Sequence, residues 1–454
     1  MSSDAALIQT VKAQQDSIPT LMGRIIALAA PLAISACILS GLNLGMLTIL
    51  ARHGDTQAIY LMSLMQPAFF IVIAMMEGLA ITNQVFSARC KKTPASGAVL
   101  RSSRVLSLVG LGLICAIALL AYWASQILSP QSQSLGLILS YLPIAALSMA
   151  AFLVFEIHHS ALRGSGHALL AIVPFAFAAI LSLLVAYVLL DRYSMGFTAV
   201  MIGNFVGPLA FLPIVYALVR KIAHKDTETP ENLPEAKKVW PLLSTVGFPV
   251  FFSILVASAS AAFLFPIIDR FGETEVSAFL VVLRLRVAFT IPAVAAGSAI
   301  AILVNQSLNN QTGVSGDRYL AVGIPLVFTL YAMATCFILF ARAVAIGLIV
   351  PESAATLNMW SNNVLWLLLP TFFLLPCVVC IQIILEQIGD GPKVLVFTII
   401  AEAATICAII FSAENSKSLG YICHVLTISS ALLFASYVAR LVHVMQRWEK
   451  THVV

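Results

Sequence analysis

The sequence predicts an all-α membrane protein, from its composition, its long apolar runs and the placement of its basic residues. Of the 454 residues, 60% are hydrophobic and only 10% are charged, with a mean hydropathy of +0.99. A soluble domain has about 25% charged residues, so this chain would lack a soluble surface. The longest polar stretch, Arg220–Lys238, is too short to bury a core of its own.

The apolar runs are long enough to be membrane helices. A helix that crosses a bilayer needs roughly 20 predominantly apolar residues. Twelve spans are predicted on that basis: 22–51, 56–88, 99–124, 133–162, 168–190, 196–219, 241–269, 275–306, 319–348, 359–386, 393–413 and 419–444. Many contain proline, which a helix bundle tolerates because neighbouring helices and side chains satisfy the carbonyls that proline leaves unpaired.

The basic residues predict the orientation of the chain. With the N-terminus inside, 18 of the 25 lysines and arginines fall in inner loops and ends, and 5 fall in outer loops. Because cytoplasmic loops are enriched in Lys and Arg, both termini are expected in the cytoplasm, on a plasma (inner) membrane. The net charge of +5 fits such a rim better than a nucleic-acid surface, so nucleic acid is not a predicted partner.

Three short motifs recur in the same order along the chain. "LAAPLAISACIL" opens the first span and "STVGFPVFFSIL" the seventh; "ITNQ" ends the second and "LVNQ" the eighth. "LRGSGH" follows the fourth span and "LEQIGD" the tenth, and the three offsets are 218, 222 and 223 residues. The repeat predicts a six-helix half at 1–219, a cytoplasmic linker at 220–240 and a second six-helix half at 241–454. Transporters with such halves place the substrate between them near mid-membrane.

The paired halves, the early proline of the first and seventh spans and the "LRGSG" turn resemble the MATE (multidrug and toxic compound extrusion) family. The stretch "RLRVAFTIPAVAAGSAIAILVNQSL", Arg284 to Leu308, is similar to the family's arginine, proline, small-residue and V-x-Q pattern. The resemblance implies a V-shaped bundle with a central cavity and cation-coupled efflux. Where many members carry an aspartate and one branch a glutamate, this chain has Met46 and Ala257, so the usual coupling carboxylates are missing.

Charged residues within spans are costly, roughly 2.5–3.5 kcal/mol each on insertion scales, and therefore mark candidate sites. Glu77, about two-thirds of the way through the second span, is the first candidate for ion coupling; the alternative is a carboxylate paired to an arginine. Glu156 is the second. Glu156, His159 and Arg163 share one helix face, which predicts a structural network at the inner mouth or a proton relay or gate built on His159 and Arg163.

Arg284 and Arg286 are the candidate substrate-binding cations. Arginine binds a carboxylate or phosphate through two parallel hydrogen bonds, so the pair favours an anionic or zwitterionic substrate. The alternative is that acids of other spans, including Glu402, neutralise both. Asn43 and Gln66 are candidate hydrogen-bonding groups for substrate, although polar residues in spans more often join helices.

These residues favour a non-enzymatic secondary transporter that exchanges small organic molecules for H⁺ or Na⁺ by alternating access. Its expected partners are the substrate, the coupling ion and membrane lipids, and it is expected to act as a monomer without cofactor or metal. The chain has no G-x-x-x-x-G-K-[ST] loop for nucleotide. The alternatives are a lipid or lipid-linked oligosaccharide flippase and, further off, an intramembrane metalloenzyme built on Glu156, His158 and His159.

Overall fold

A computed structural model describes residues 17–90, 96–127, 133–224, 238–308, 315–347, 355–415 and 418–452. In these ranges all regular secondary structure is helical, which confirms the predicted all-α class. The helices are α1 (Ile18–Arg52), α2 (Thr56–Leu64), α3 (Gln66–Cys90), α4 (Ser96–Ile127), α5 (Gln133–Ser148), α6 (Ala150–Gly164), α7 (Ala168–Tyr193), α8 (Phe197–His224), α9 (Val239–Leu242), α10 (Phe248–Ile268), α11 (Glu273–Leu308), α12 (Gly316–Gly347), α13 (Ala355–Leu385), α14 (Gly391–Asn415) and α15 (Leu419–His452).

Each predicted span coincides with one of these helices or with two consecutive ones. Eleven stretches of the described chain are long and apolar enough to cross a membrane. One of them, Ala355–Ser412, is 58 residues long and holds both α13 and α14, so the predicted count of twelve is consistent with the structure. The chain is therefore a multi-pass membrane protein.

The outer surface of the helices is apolar. Phe340 is 86% exposed, Ile127 73% and Phe337 71%, and many other large apolar side chains are exposed beside them. Water would make such a surface a site of aggregation, whereas lipid tails solvate it. This surface explains how a chain with few charges remains a stable fold.

Two prolines that the sequence places inside spans instead lie in the first turn of a helix. The second span is broken at Met65, and Pro67 is the second residue of α3. In the seventh span the π-helical turn Leu243–Gly247 separates α9 from α10, and Pro249 is the second residue of α10. Proline lacks a backbone N–H and is tolerated in a first turn, where that N–H would have no partner in the helix.

The described residues pack into two compact units. The N-terminal unit contains the described residues between 34 and 251 and Leu308, and the C-terminal unit contains 17–33, 252–307 and the described residues between 315 and 452. These units differ from the predicted halves at two helices, because the start of α1 belongs to the C-terminal unit and α9 belongs to the N-terminal unit. The V-shaped arrangement with a central cavity stays a prediction.

The core of each unit accounts for the two exchanged segments. In the N-terminal unit, Val239 and Val246 are 1% and 0% exposed and belong to the core that Phe155 occupies. In the C-terminal unit, Leu21 and Ile25 are each 1% exposed and pack in the core that contains Tyr437. Burial of these apolar side chains therefore fixes the first turns of the first and seventh spans to the unit built by the other half of the sequence.

Candidate functional site

The three charged residues predicted to share a face of α6 are in contact in the N-terminal unit. Nδ1 of His159 lies 3.1 Å from Oε2 of Glu156. A guanidinium N–H of Arg163 donates to Oε1 of the same carboxylate. The side chains of Glu156 and His159 are 6% and 0% exposed, and that of Arg163 is 16% exposed. Both oxygens of Glu156 are thus held by neighbours one and two turns along its own helix.

The histidines of this segment have different environments. The His159 ring stacks on Phe155 and Phe175, with ring centroids 5.8 and 5.1 Å away. Nδ1 of His158 lies 2.8 Å from the Val154 carbonyl, and its ring packs against that of Tyr216. Within the described ranges, no group of three or more His, Cys, Asp or Glu side chains is placed to hold a metal ion. The two histidines therefore do not converge with Glu156 on one point.

Glu77 of α3 is half-buried beside this cluster. It lies within electrostatic range of both Glu156 and Arg163. In the part of the chain that the structure describes, Glu77 makes no hydrogen bond and no ion pair of its own. The structure thus brings together the two acids predicted for ion coupling and the two residues predicted for a relay or gate.

Glycines bring the helices around Glu77 very close together. A Cβ on Gly78 would lie 2.7 Å from the carbonyl oxygen of Gly247, so α3 crosses the π-helical turn with no room for a side chain. A Cβ on Gly164 would lie 2.1 Å from the carbonyl oxygen of Gln84. The spacing of these contacts along α3 holds the Glu77 segment between the seventh span and α6.

A buried polar network lies one to two turns beyond Glu77. The Asn83 amide donates to the Ile157 carbonyl at 2.7 Å and to the Ser103 hydroxyl at 3.0 Å. Its Oδ1 accepts from the Ser102 hydroxyl at 2.9 Å. Asn83, Ser102 and Ser103 are each 0% exposed, and their hydrogen bonds tie α3, α4 and α6 together.

The C-terminal unit has a related turn with different chemistry. Gly389 has a φ of 105° and Gly166 a φ of 83°, so the glycines paired by the repeat both adopt the left-handed conformation. At the offset of this pair, Arg163 corresponds to Glu386 and His159 to Gln382.

Glu386 is a buried acid that sequence reasoning missed. It is 4% exposed, and its Oε1 accepts hydrogen bonds from the Ser253 hydroxyl at 2.9 Å and the Gln382 amide at 3.0 Å. The span assigned at 359–386 placed this residue at an end, where a charge needs no explanation. The signal that could have found it is its repeat partner Arg163, itself a candidate.

The candidate arginines lie in the C-terminal unit, on α11. Arg286 is half-buried, within electrostatic range of Glu402 on α14. Arg284 is exposed and, within the described residues, has no hydrogen bond or ion pair. Neither arginine makes an ion pair within the described residues, and the buried Nε of Arg286 has no hydrogen-bond partner there.

The remaining candidates are at the surface of their unit. Asn43 and Gln66 are both exposed, and neither is drawn into the Glu156 cluster. Met46 is 1% exposed and belongs to an apolar core, so the position lacking the family's aspartate is filled by packing. Ala257, at the position of the family's second acid, is exposed.

The fold was compared with solved structures. A mutant of the Vibrio cholerae MATE transporter VcmN matches with a TM-score of 0.79 and 14% identity, covering 93% of this chain and 98% of that one. The chain has the fold of the MATE transporters. A MATE structure in the bent conformation matches with a TM-score of 0.77 and 18% identity over 96% of this chain and 97% of that one.

A third MATE-like structure is a MOP superfamily transporter from Pyrococcus furiosus, with a TM-score of 0.74 and 18% identity over 92% of this chain and 95% of that one. Neither a protein-family model nor a curated protein matches the chain. At identities of 14 to 18% these matches define the MATE fold and no more. They confirm the predicted resemblance to the MATE family at the level of the fold.

Proposed function

We propose that the protein is a secondary active exporter that exchanges small organic molecules for H⁺ or Na⁺ by alternating access. The observation that carries the proposal is the charge count of the N-terminal cluster. Glu77 and Glu156 supply two carboxylates, whereas among the described residues Arg163 supplies the one permanent cation that acts on both. A further cation is needed to neutralise the set, and a transported proton or Na⁺ meets that need.

The two carboxylates have separate roles in this proposal. Glu156 is held at both oxygens by Arg163 and His159, so its charge is already compensated. Glu77 shares the electrostatic environment of that group without a cation of its own. A carboxylate inside a membrane span without a partner is costly, which favours uptake of a coupling ion at Glu77 and return of that ion when the environment opens to water. His159 and Arg163 then serve as relay or gate.

The proposed substrates carry an acidic group. Arg286 is half-buried with Glu402 within electrostatic range, whereas Arg284 is exposed and makes no ion pair with any described acid. A guanidinium is matched to a carboxylate or phosphate on a substrate. The Pyrococcus furiosus transporter is itself described as having a binding pocket of reverse polarity that suggests a different function. The charge of Arg284 supports anionic or zwitterionic compounds as the class to test, with Asn43 and Gln66 as polar contacts.

The proposal places the protein in the plasma membrane with both termini on the cytoplasmic side. Its active form is a monomer. It is tested with purified protein in proteoliposomes, under an imposed proton gradient or an imposed Na⁺ gradient and without nucleotide. Two probes of similar size, a fluorescent carboxylate and a fluorescent organic cation, report export. We expect gradient-driven export of the carboxylate.

Three outcomes of this experiment would contradict the proposal. Probe movement that ignores both gradients would overturn coupled export. Scrambling of a fluorescent phospholipid in the same vesicles, without probe export, would favour the flippase. Export of the organic cation alone would remove the anionic substrate class while leaving coupled export in place.

Arg284→Met tests the substrate class directly, with Arg342→Met as the matched control because Arg342 lies over the Trp366 ring on other helices. A hydrogen bond to a charged group contributes about 1.5–3 kcal/mol, so we expect a roughly 10–150-fold loss of affinity for the carboxylate. Affinity for the organic cation should be unchanged or improved. Equal losses for both probes would remove Arg284 from substrate recognition.

A further inference from the structure

Glu386, in the C-terminal unit, has no part in the mechanism proposed above. It begins the π-helical turn Glu386–Asp390 that follows α13. Both of its hydrogen-bond donors, Ser253 of α10 and Gln382 of α13, point at Oε1. Within the described residues, Oε2 makes no hydrogen bond. One oxygen of this buried acid is therefore fixed and the other is available.

No cation neutralises this carboxylate within the described chain, although cations lie only one helical turn away. Asp390, at the end of the same turn, is bound by Arg440 through two contacts of 2.5 and 2.7 Å. Lys393 approaches Asp390 at 4.0 Å. Arg440 and Lys393 are thus engaged with Asp390, and within the described residues Glu386 makes no ion pair.

Uncharged side chains of other helices lie near Glu386 and its turn. Tyr437 of α15 lies within its electrostatic range and shares a 2.6 Å hydrogen bond with Thr398 of α14. From α11, the Asn305 amide donates to the backbone carbonyl of Gln387 at 3.1 Å. Tyr437 is therefore a titratable neighbour that the structure places within electrostatic range of Glu386.

A buried carboxylate in such surroundings needs a neutralising partner, and the available ligands favour a proton. Metal cations such as Ca²⁺ and Mg²⁺ take six or more oxygen ligands. The described side chains around Glu386 offer its own carboxylate, the Ser253 hydroxyl and the Gln382 amide. This set is too small for a metal ion, whereas a proton needs only the oxygen that the two donors leave unoccupied.

We propose that Glu386 is a second proton-binding site, in the C-terminal unit, with Oε2 as the atom that receives the proton. The site rests on the proposed coupled transport for its role, although its chemistry stands on the contacts alone. The proton comes from water at the C-terminal end of α13, an O–H bond forms at Oε2, and the same bond breaks when the proton is released. No electron transfer or co-reactant is involved.

Proton binding at Oε2 alters the link between α10 and the turn. The Ser253 hydroxyl donates to an ionised carboxylate before the proton arrives and to a neutral acid afterwards. Charge-assisted hydrogen bonds are roughly twice as strong as neutral ones, so the link weakens when Glu386 is protonated. Because this hydrogen bond joins α10 to the turn after α13, its weakening is a way for a proton to change the packing of these two elements.

Infrared difference spectroscopy of the purified protein in lipid nanodiscs tests the site without transport. Stepping the pH in H₂O and in D₂O should reveal the carbonyl band of a protonated, buried carboxyl group. Glu386→Gln should remove that band. Ser253→Ala should shift it to higher frequency, because Oε1 loses a donor. Ser258→Ala is the matched control, since that hydroxyl on the same helix bonds its own Ile254 carbonyl, and should leave the band in place.

A carboxyl band that survives Glu386→Gln unchanged would overturn the proposal. Loss of the band when NaCl replaces choline chloride at constant pH would also overturn it, in favour of a Na⁺ site. If Glu386→Gln fails to fold, the Ser253→Ala shift in otherwise intact protein remains the deciding measurement. An unshifted band in that variant would then contradict the assignment to Glu386.

Proton stoichiometry separates failure of this site from failure of coupled export. With the membrane potential clamped to zero, the limiting substrate ratio under a one-unit pH gradient rises tenfold for each exchanged proton, since one pH unit corresponds to 1.36 kcal/mol. Glu386→Gln should lower that ratio roughly tenfold. If the wild-type protein shows the infrared band but no gradient-driven export, the proton site is supported and the proposed function is contradicted. If Glu386→Gln exports normally, with an unchanged substrate ratio and an unchanged infrared band, the proton site is contradicted and coupled export is not.

Discussion

The ends of the fourth and tenth spans share a turn and differ in how they hold a buried acid. Both turns contain a glycine in the left-handed conformation, Gly166 with a φ of 83° and Gly389 with a φ of 105°. Before the first turn, Arg163 and His159 compensate the charge of Glu156. At the second, Glu386 takes the position of the arginine, and its hydrogen-bond partners among the described residues are a hydroxyl and an amide.

The difference teaches that a repeat can keep backbone geometry while the side chains change role. The backbone needs glycine at both turns because the conformation is unfavourable for other residues. The side chains have no such requirement, so one end carries a paired carboxylate and the other a carboxylate without a cation. Charge rather than fold therefore separates the two ends, and variants of each can test that separation.

The largest effect is expected from Glu77→Gln, which removes the acid that shares the Glu156 and Arg163 environment without a cation of its own. We expect folded protein that still binds the carboxylate probe and no longer exports it under a gradient. Efflux from proteoliposomes and equilibrium binding measure the two properties. Glu273→Gln, at an exposed position at the start of α11, is the control. Normal export by Glu77→Gln at normal expression would move ion coupling to Glu156.

Arg163→Met should cause the largest loss of stability. Removing one partner of a buried ion pair leaves the other uncompensated, at a cost of about 3–5 kcal/mol. The comparison predicts that Glu386→Gln, at the equivalent position, costs far less because it breaks no ion pair. Thermal unfolding in detergent ranks the two variants. Glu156→Gln combined with Arg163→Met should recover part of the loss, and a double variant as unstable as Arg163→Met would contradict the pairing.

Gly164→Ala should destabilise the N-terminal unit by about 1–3 kcal/mol, because its Cβ would lie 2.1 Å from a backbone oxygen that cannot easily move. At the repeat offset, the tenth span has Gln387, a full side chain that donates to Ser298. The tight crossing is thus a property of one end alone. Gly97→Ala, with nothing within 4 Å, is the control. Equal unfolding temperatures for the two variants would contradict the close crossing.

The smallest losses of stability are expected at the two glycine turns, and these two losses should be nearly equal. Gly166→Ala and Gly389→Ala place a Cβ in the left-handed conformation, which costs about 1–2 kcal/mol at each position. Because the two turns share that backbone geometry, their losses of unfolding free energy should agree within the error of measurement. A large loss at one turn and none at the other would show that the repeat does not extend to the energetics of the turn.

Hydropathy was sufficient to predict the helices but not their internal breaks. Runs of apolar residues define a span whatever happens inside it, so the twelve predicted ranges coincide with helices. The break at Met65 and the π-helical turn Leu243–Gly247 depend on which hydrogen bonds compete locally, and apolar periodicity carries no record of that competition. Hydropathy also does not reveal that the start of α1 packs in the C-terminal unit and that α9 packs in the N-terminal unit.

The site was predictable where residues act along one helix. The i, i+3 and i+7 spacing of Glu156, His159 and Arg163 predicts their contacts from helix geometry alone. The exposed positions of Asn43 and Gln66 were not predictable, because lipid-facing and protein-facing surfaces are equally apolar in a membrane helix. The Ser253 contact of Glu386 joins residues 133 apart, and only the fold brings them together.

The exchanged segments have a consequence for synthesis of the protein. The core of the N-terminal unit includes Val239 and Val246, so it cannot close until the ribosome has passed the linker. Leu21 and Ile25 enter the membrane first, yet they pack with Tyr437 near the end of the chain. At about 5–20 residues per second, those first turns wait on the order of tens of seconds for their neighbours. Two fragments divided at the linker would therefore each lack part of a core, and neither would mature without the other in the same membrane.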